Sequence, residues 1–394
     1  MRVLHIGKFF PPFAGGIENF IGDLMPALLE QGVDVKALVH SSPAVRGHHT
    51  RRLDESRVLR VPCYGSILYA PVSPGFPFVL NRMVKEFQPH IIHLHVPNTS
   101  AFWVMLSRKA ARIPWVVHWH SDVVPSLIDR RLAAAYSLYR PFEQRLLAHS
   151  TKVIATSARY LESSIPLTPW KKKCTVIPLG INPERLPEAE KFALRNAEQI
   201  WRNPKSLRIL SIGRLTYYKG HEVLIRAVAE MKDLQLVIVG VGDKKAELEQ
   251  LIQDLQIQDK IQLMGLLPET ELQALLASSD CFCLPSVERT EAFGLVLLEA
   301  MRYGKAVIAS DVPGSGVGWV VQEGKTGRLF PTGDVLELGK LLRRCSARPE
   351  ERKNMGMEGQ KRFASEFNIN QVAGQTIDLY NDILASKMTT SHGK

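Results

Sequence analysis

The residues best suited to chemistry lie in the second half of this 394-residue chain. Gly213-Arg214-Leu215 ends an apolar run, and Lys219-Gly220 stands just before a helical pattern. A guanidinium and an ammonium at one strand's end can clamp a diphosphate; as a solvated pair they would do nothing. Further on comes Glu291-Ala-Phe-Gly-Leu-Val-Leu-Leu-Glu299, after the loop from Pro285 to Thr290. The pattern predicts a helix from Glu291 to Arg302. Glu299 then lies a little over two turns beyond Glu291, and both carboxylates share roughly one face. A first-turn glutamate can simply complement the helix dipole. Gly294 inside the first turn is costly for a helix, and the cost makes sense where free N–H groups must approach a phosphate while carboxylates bind sugar hydroxyls on either side.

The first half offers weaker signals. Gly15-Gly16 lies between the first predicted strand and the first helix. It is either a tight turn or a place where backbone N–H groups approach an anion at a helix N-terminus. The GxGxxG spacing of a dinucleotide site is absent, which lowers the case for an oxidoreductase. His93 and His95 share one strand face, as do His118 and His120. Either pair could ligate a metal, but no third ligand is evident nearby, so hydrogen-bonded core histidines are expected. His120 differs by standing at a strand's carboxyl end before Ser121-Asp122. Asp122 would orient it or cap the following turn.

These residues must be held by alternating strands and helices. Strands are predicted at Val3 to Gly7, Val33 to Val39, Ile91 to His95, Trp115 to Trp119, Val153 to Thr156 and Cys174 to Pro178. Helices are predicted at Ile17 to Glu30, Ala101 to Ala111 and Arg131 to Ala148. The alternation implies parallel βαβ units. Residues 183–205 lose periodicity, carry three prolines and many charges, and read as a linker. A second series follows, with strands at Leu207 to Ile212, Leu234 to Val239, Ile261 to Met264, Cys281 to Leu284 and Ala306 to Ser310. Two doubly wound domains result, 1–182 and 206–367. Ligands of such sheets bind outside the strands' carboxyl ends, here expected in an interdomain cleft.

Composition is that of an ordinary globular protein. The net charge of +11 sits entirely in residues 1–182, with 22 basic and 11 acidic residues there; the remainder is balanced. A one-sided basic face suits an acidic partner or mere solubility. Five cysteines without a CxxC pair argue against a disulfide or zinc framework and fit a reducing, cytosolic setting. Cys281 and Cys283 point to one strand face, into a core. The N-terminal apolar run is too short for a signal peptide, and no stretch is long enough for a transmembrane helix.

Taken in order, Gly213-Arg214, Lys219-Gly220 and the Glu291-x7-Glu299 segment within Ser286-Val-Glu-Arg-Thr-Glu-Ala-Phe-Gly resemble the retaining glycosyltransferases of family 4, which have the GT-B fold. Gly15-Gly16, His120-Ser121-Asp122 and Ile177-Pro-Leu-Gly-Ile181 fall where that family places matching segments, so the resemblance covers about the whole chain. It implies an α/β GT-B architecture of two Rossmann-like domains, with an acceptor-binding domain first, a nucleotide-sugar domain second, and a last helix, about 368–386, packing back on the first.

The family pattern further implies that Arg214 and Lys219 bind the donor diphosphate, Glu291 the transferred sugar and Glu299 the ribose. Backbone amides around Phe293, Gly294, Leu295 and Val296 would hold phosphate and sugar. Gly16, with Gly15 beside it, would approach the donor from the opposite domain, His120 would lie near the reaction centre, and Glu269 near the base. No metal or other cofactor is implied, since the Asp-x-Asp motif is lacking and the two cations replace Mg²⁺. The donor would be GDP- or UDP-linked, with GDP-mannose first because the Arg-Thr-Glu-Ala-Phe-Gly wording resembles mannosyl-transferring members. The acceptor would be a lipid-linked sugar or oligosaccharide in envelope polysaccharide synthesis. Arg51, Arg52, Arg57, Arg60 and Lys171 to Lys173 would meet anionic lipid or an acceptor diphosphate, or form a solvated face. The expected location is cytoplasmic, peripheral on the inner face of the plasma membrane. Nucleic acid is not expected, because no recognition motif accompanies the charge. The rival functions are a sugar-nucleotide epimerase of the same fold and a non-catalytic nucleotide- or membrane-binding module.

Overall fold

A computed structural model of the protein describes residues 1–13, 15–41, 53–67, 70–123, 130–203 and 205–391, the side chains of 130–134 and 388–391 excepted. Arg51 and Arg52 of the expected basic face lie outside the described residues. The chain divides into two compact units: Met1–Gly180 together with Ile369–Lys394, and Ile181–Asn368.

The first unit is built on a parallel sheet. Its elements are β1 (Arg2–Ile6), α1 (Gly16–Glu30), β2 (Asp34–His40), β3 (Val58–Val61), a small antiparallel hairpin of β4 (Ser66–Ile67) and β5 (Ala70–Pro71), α2 (Phe76–Phe87), β6 (Ile91–Val96), β7 (Trp115–Trp119), α3 (Arg130–His149), β8 (Lys152–Ala155), α4 (Ala158–Ser163) and β9 (Cys174–Val176). The strand order is β3-β2-β1-β6-β7-β8-β9. Chain direction across the sheet therefore reverses between β1 and β6, the switch point where such sheets open a crevice. β1 and β6 are buried nearly throughout, as parallel strands covered on both faces must be.

The second unit holds α5 (Lys191–Ile200), β10 (Leu207–Ile212), α6 (His221–Ala229), β11 (Leu234–Val239), α7 (Lys245–Asp254), β12 (Ile261–Met264), α8 (Glu269–Ser278), β13 (Cys281–Leu284), α9 (Leu295–Arg302), β14 (Ala306–Asp311), α10 (Val317–Val320), β15 (Gly327–Pro331), α11 (Val335–Ala347) and α12 (Pro349–Arg362). The order β12-β11-β10-β13-β14-β15 puts its switch point between β10 and β13. Cys281 and Cys283 sit in the core cluster of this sheet. The last helix, α13 (Ile369–Ser391), belongs to the first unit and packs on α1.

Three expectations differ from what the structure contains. The stretch 183–205 is not a bare linker: α5 lies in it and packs on α8, burying Ala193, Ala197 and Trp201. Its charges sit on an amphipathic helix, which hid the period. The helix expected over Ala101 to Ala111 is two 3₁₀ segments, Thr99–Met105 and Ala110–Arg112; the Asn98 side chain accepts from the Ser100 amide and tightens the first turn. The helix expected from Glu291 begins only at Leu295.

Candidate active site

The loops after β10 and β13 bring three charged candidates of the second unit, Arg214, Lys219 and Glu291, onto one switch point. Arg214 follows β10. Its guanidinium donates to the Tyr218 hydroxyl at 2.8 Å and lies 5.8 Å from that ring. Lys219 closes a short 3₁₀ turn, Tyr217–Lys219, and its Nζ reaches Glu291 Oε2 at 2.5 Å. Gly220 then adopts φ +64°, and a Cβ there would collide with the Pro285 carbonyl oxygen. Only glycine lets the two loops meet so closely. The Val287 amide completes the join by donating to the Tyr218 carbonyl at 2.8 Å.

Glu291 therefore lies in a loop rather than on a helix face. The physical reason is Gly294, which takes φ +81° and caps α9. A left-handed residue cannot continue a helix backward. Glu291 is instead fixed by its neighbours. Ser286 Oγ donates to Oε2 at 3.1 Å, the Ser315 hydroxyl donates to the Glu291 carbonyl, and the Gly316 amide donates to the Ala292 carbonyl at 2.7 Å. Burial pulls the Lys219 ammonium down, but Glu291 and the Tyr218 ring outweigh it, so Lys219 is held above its ordinary value and stays charged.

The expected pairing of Glu291 and Glu299 on one helix face is thus corrected: only Glu299 is on α9. Arg185 NH2, from the 3₁₀ turn Pro183–Arg185, lies 3.8 Å from its carboxylate. Leu295 and Val296 open α9, and the first N–H groups of a helix have no acceptor within it. Phe293 is buried against Trp319 and Phe367, so its side chain is core and only its backbone is available to a ligand. Glu269 is the first residue of α8. It and Glu299 both bear on Tyr303, whose hydroxyl donates to the Pro187 carbonyl and is pushed up to about 12 by burial, with the two carboxylates adding.

In the first unit Gly15 caps α1 in an extended conformation and Gly16 is its first residue. The Glu18 carboxylate occupies the place a Cβ on Gly15 would take. A carboxylate thus already faces the positive end of α1, which weakens an anion site there. His120 is buried at the carboxyl end of β7. It is not oriented by Asp122, which instead accepts from Trp119 Nε1 at 2.8 Å and Ser164 Oγ at 2.7 Å. Its Nε2 meets His95 Nδ1 at 3.0 Å. The register aligns His5 with His93 and His95 with His118, which supplies the third imidazole the two sequence pairs lacked. His5, His93 and His95 form one close triad, and His95, His118 and His120 another.

Sequence reasoning missed Tyr218, Ser286, Arg185 and Tyr303. Tyr218 stands between Arg214 and Lys219, and Ser286 opens the segment that holds Glu291, so both were open to notice; Arg185 and Tyr303 become neighbours only through folding. It also missed Glu143 on α3, whose carboxyl is pushed up to about 7 chiefly by burial, with Asp122 adding. Of the basic face, Arg57 is bound to Asp34 at 2.5 Å, Arg60 to Glu55, and Lys173 to the carbonyls of Leu147, Ala148 and Ser150. These three are engaged within the fold. Among the described residues no helix is long and apolar enough to cross a membrane.

The pattern described as "Glycosyl transferases group 1" matches residues 195–362, and "Glycosyl transferase 4-like domain" matches 15–180. The chain is 28% identical to the O-antigen chain mannosyltransferase C of Escherichia coli, over 98% of this chain and 100% of that one. It is 29% identical to the D-rhamnosyltransferase WbpZ of Pseudomonas aeruginosa, over 93% and 92%. Its fold is that of sucrose-phosphate synthase from Thermosynechococcus elongatus, with a TM-score of 0.79 at 24% identity, covering 98% of this chain and 99% of the other.

Proposed function

Because the chain belongs to the group 1 glycosyl transferases and is a nucleotide-sugar-dependent glycosyltransferase of polysaccharide or glycolipid synthesis, we propose that it moves a hexose, mannose first, to a hydroxyl of a lipid-linked or oligosaccharide acceptor in envelope polysaccharide synthesis, with retention of configuration. The observation that carries this reading is the meeting of Arg214, Lys219 and Glu291 at the β10–β13 switch point. The mannosyl and rhamnosyl names of the two relatives support a donor of that class.

As the bond to the anomeric carbon breaks, positive charge grows on the sugar and negative charge on the departing diphosphate. Arg214 and Lys219 stabilise the diphosphate where its charge develops, with the first amides of α9 beside them. Glu291, already held by Ser286, takes a sugar hydroxyl; Glu299 takes the ribose. In the free protein Glu291 neutralises Lys219, so the diphosphate exchanges one anionic partner of Lys219 for another. Two cations at the diphosphate leave no task for a divalent metal, and EDTA is expected to leave turnover unchanged.

The test is a thermal-shift panel of GDP, UDP, ADP and their sugars, followed by product analysis with the preferred donor. A bound ligand raises the melting temperature by mass action. A GDP preference and sugar found on the acceptor support the proposal. Release of a free sugar epimer without acceptor, or no shift with any nucleotide, overturns it.

A further inference from the structure

Five histidines of the first unit are buried at the switch point, His5 on β1, His93 and His95 on β6, His118 on β7 and His120 just past its end, and their ring nitrogens join, with one tyrosine, in two ladders. In the first, His5 Nδ1 meets His95 Nε2 at 3.0 Å, and His95 Nδ1 meets His120 Nε2 at 3.0 Å. In the second, the Tyr380 hydroxyl of α13 meets His93 Nδ1, and His93 Nε2 meets His118 Nδ1 at 3.2 Å. The ring nitrogens left over are the ladder ends, His5 Nε2, His120 Nδ1 and His118 Nε2, and each is buried without a partner. Phe20 of α1 packs its edge on His95, His118 and His120 and closes the face.

A neutral imidazole has one N–H and one bare nitrogen, and each N···N contact holds one proton. If His5 Nδ1 donates, His95 Nε2 is bare. His95 Nδ1 then carries its proton, His120 Nε2 is bare, and His120 Nδ1 bears the last N–H. Reversing the first bond reverses them all. The first ladder thus has two states, with all three protons on Nδ1 or all three on Nε2, and no mixed state keeps both bonds. Burial keeps the rings neutral: His5 and His120 are pulled down to about 3 and His95 well below its ordinary value. A bound divalent ion fits less well. Both triads offer imidazole alone, with no carboxylate, and an uncompensated double charge in a dry interior is costly.

We propose that His5 and His95 are positioning residues for His120: they bind its tautomer to their own, so that a hydroxyl or ether oxygen of the sugar or acceptor that gains His120 Nδ1, covered in the free protein, sets the proton arrangement of the whole ladder. An oxygen that only accepts selects the Nδ1–H state, and a hydroxyl that must donate selects the Nε2–H state. The link to turnover rests on the transferase reading; the ladder itself does not.

The experiment is 15N NMR of the full-length protein labelled at histidine, with His95→Phe and His95→Gln beside it. Two trans-hydrogen-bond N–N couplings, His5 to His95 and His95 to His120, and one shared tautomer on all three rings are expected. In His95→Phe both couplings vanish, the His120 tautomer is no longer tied to that of His5, and kcat falls at least tenfold with donor KM within twofold. His95→Gln, whose amide can donate and accept, recovers part of kcat. Opposite tautomers on His5 and His120, or an unchanged tautomer and kcat–pH profile in His95→Phe, overturn the proposal. So does stoichiometric uptake of Co²⁺ with a d–d band. The wild-type spectrum decides the ladder if a variant does not fold. Couplings present in a protein with no transfer activity would sink the transferase reading and leave the ladder standing.

Discussion

Lys219 and Glu291 neutralise each other at 2.5 Å with little exposure on either side. Removing one partner leaves a nearly buried charge alone, which costs about 3 kcal/mol. Lys219→Ala and Glu291→Ala should each lower the melting temperature, and the double variant should lower it by less than the sum of the two. Each should also cut kcat about 100-fold or more, as loss of one charge-stabilising group does. Thermal melts and kcat around the complete cycle check both, and additive stabilities would mean the pair is not coupled. Gly294 is a second residue with a defined burden. At φ +81° an added methyl strains the backbone by about 1–2 kcal/mol, and it would sit 2.8 Å from Leu297 Cδ1 and 3.2 Å from Leu284 Cδ2. Gly294→Ala should lose that much stability and weaken donor binding about tenfold by tilting the first amides of α9. Calorimetry with the preferred nucleotide checks this; wild-type affinity would remove those amides from the donor site.

The histidine-bearing strands β1, β6 and β7 give the first unit a pH response. His5 and His120 have folded values near 3 against 6.5 unfolded. Their values are depressed, so the contribution to stability is present above about 6.5 and is lost as pH falls toward 3. At pH 5.5 each ring forfeits on the order of 1 kcal/mol. Melting temperature should therefore drop steeply below pH 6.5, and His5→Gln should flatten that slope; a melt independent of pH from 7.5 to 5 would contradict it. The strands themselves were legible in sequence because Ile91 to His95 and Trp115 to Trp119 are short apolar runs interrupted only by histidines and ended by Pro97 and Ser121. Their register was not, and so His5 was missed. β15 escaped notice because it starts at Gly327 and ends at Pro331, both strand breakers. α2 did so because Pro74, Gly75 and Pro77 look like a loop, although proline is tolerated at a helix start. Arg214 and Lys219 were legible as charges at element ends, and Glu299 as a carboxylate on a predicted helix face. The ion pair of Lys219 with Glu291 was not, since it joins loops 72 residues apart.

At the scale of the molecule, every charged residue assigned to the donor lies between Ile181 and Asn368, the bounds of the second unit. The ends of that segment meet: Ile181 bridges Asn368, and its amide donates to the Phe367 carbonyl at 3.0 Å. A segment whose termini adjoin and whose sheet is complete can fold as a closed domain. The first unit lacks this independence, because α13 returns from the far end of the chain to pack on α1 and to place Tyr380 against His93. A fragment of residues 181–368 should therefore unfold cooperatively and bind the preferred nucleoside diphosphate within about tenfold of the full chain, with no transfer activity. A chain cut after Asn368 should keep nucleotide binding while its first unit becomes sensitive to protease, since α13 no longer covers α1. Isothermal calorimetry on both proteins, with limited proteolysis of the second, decides the matter. Loss of nucleotide binding in a folded 181–368 fragment would mean that the donor's phosphates depend on groups outside Arg214, Lys219 and the start of α9.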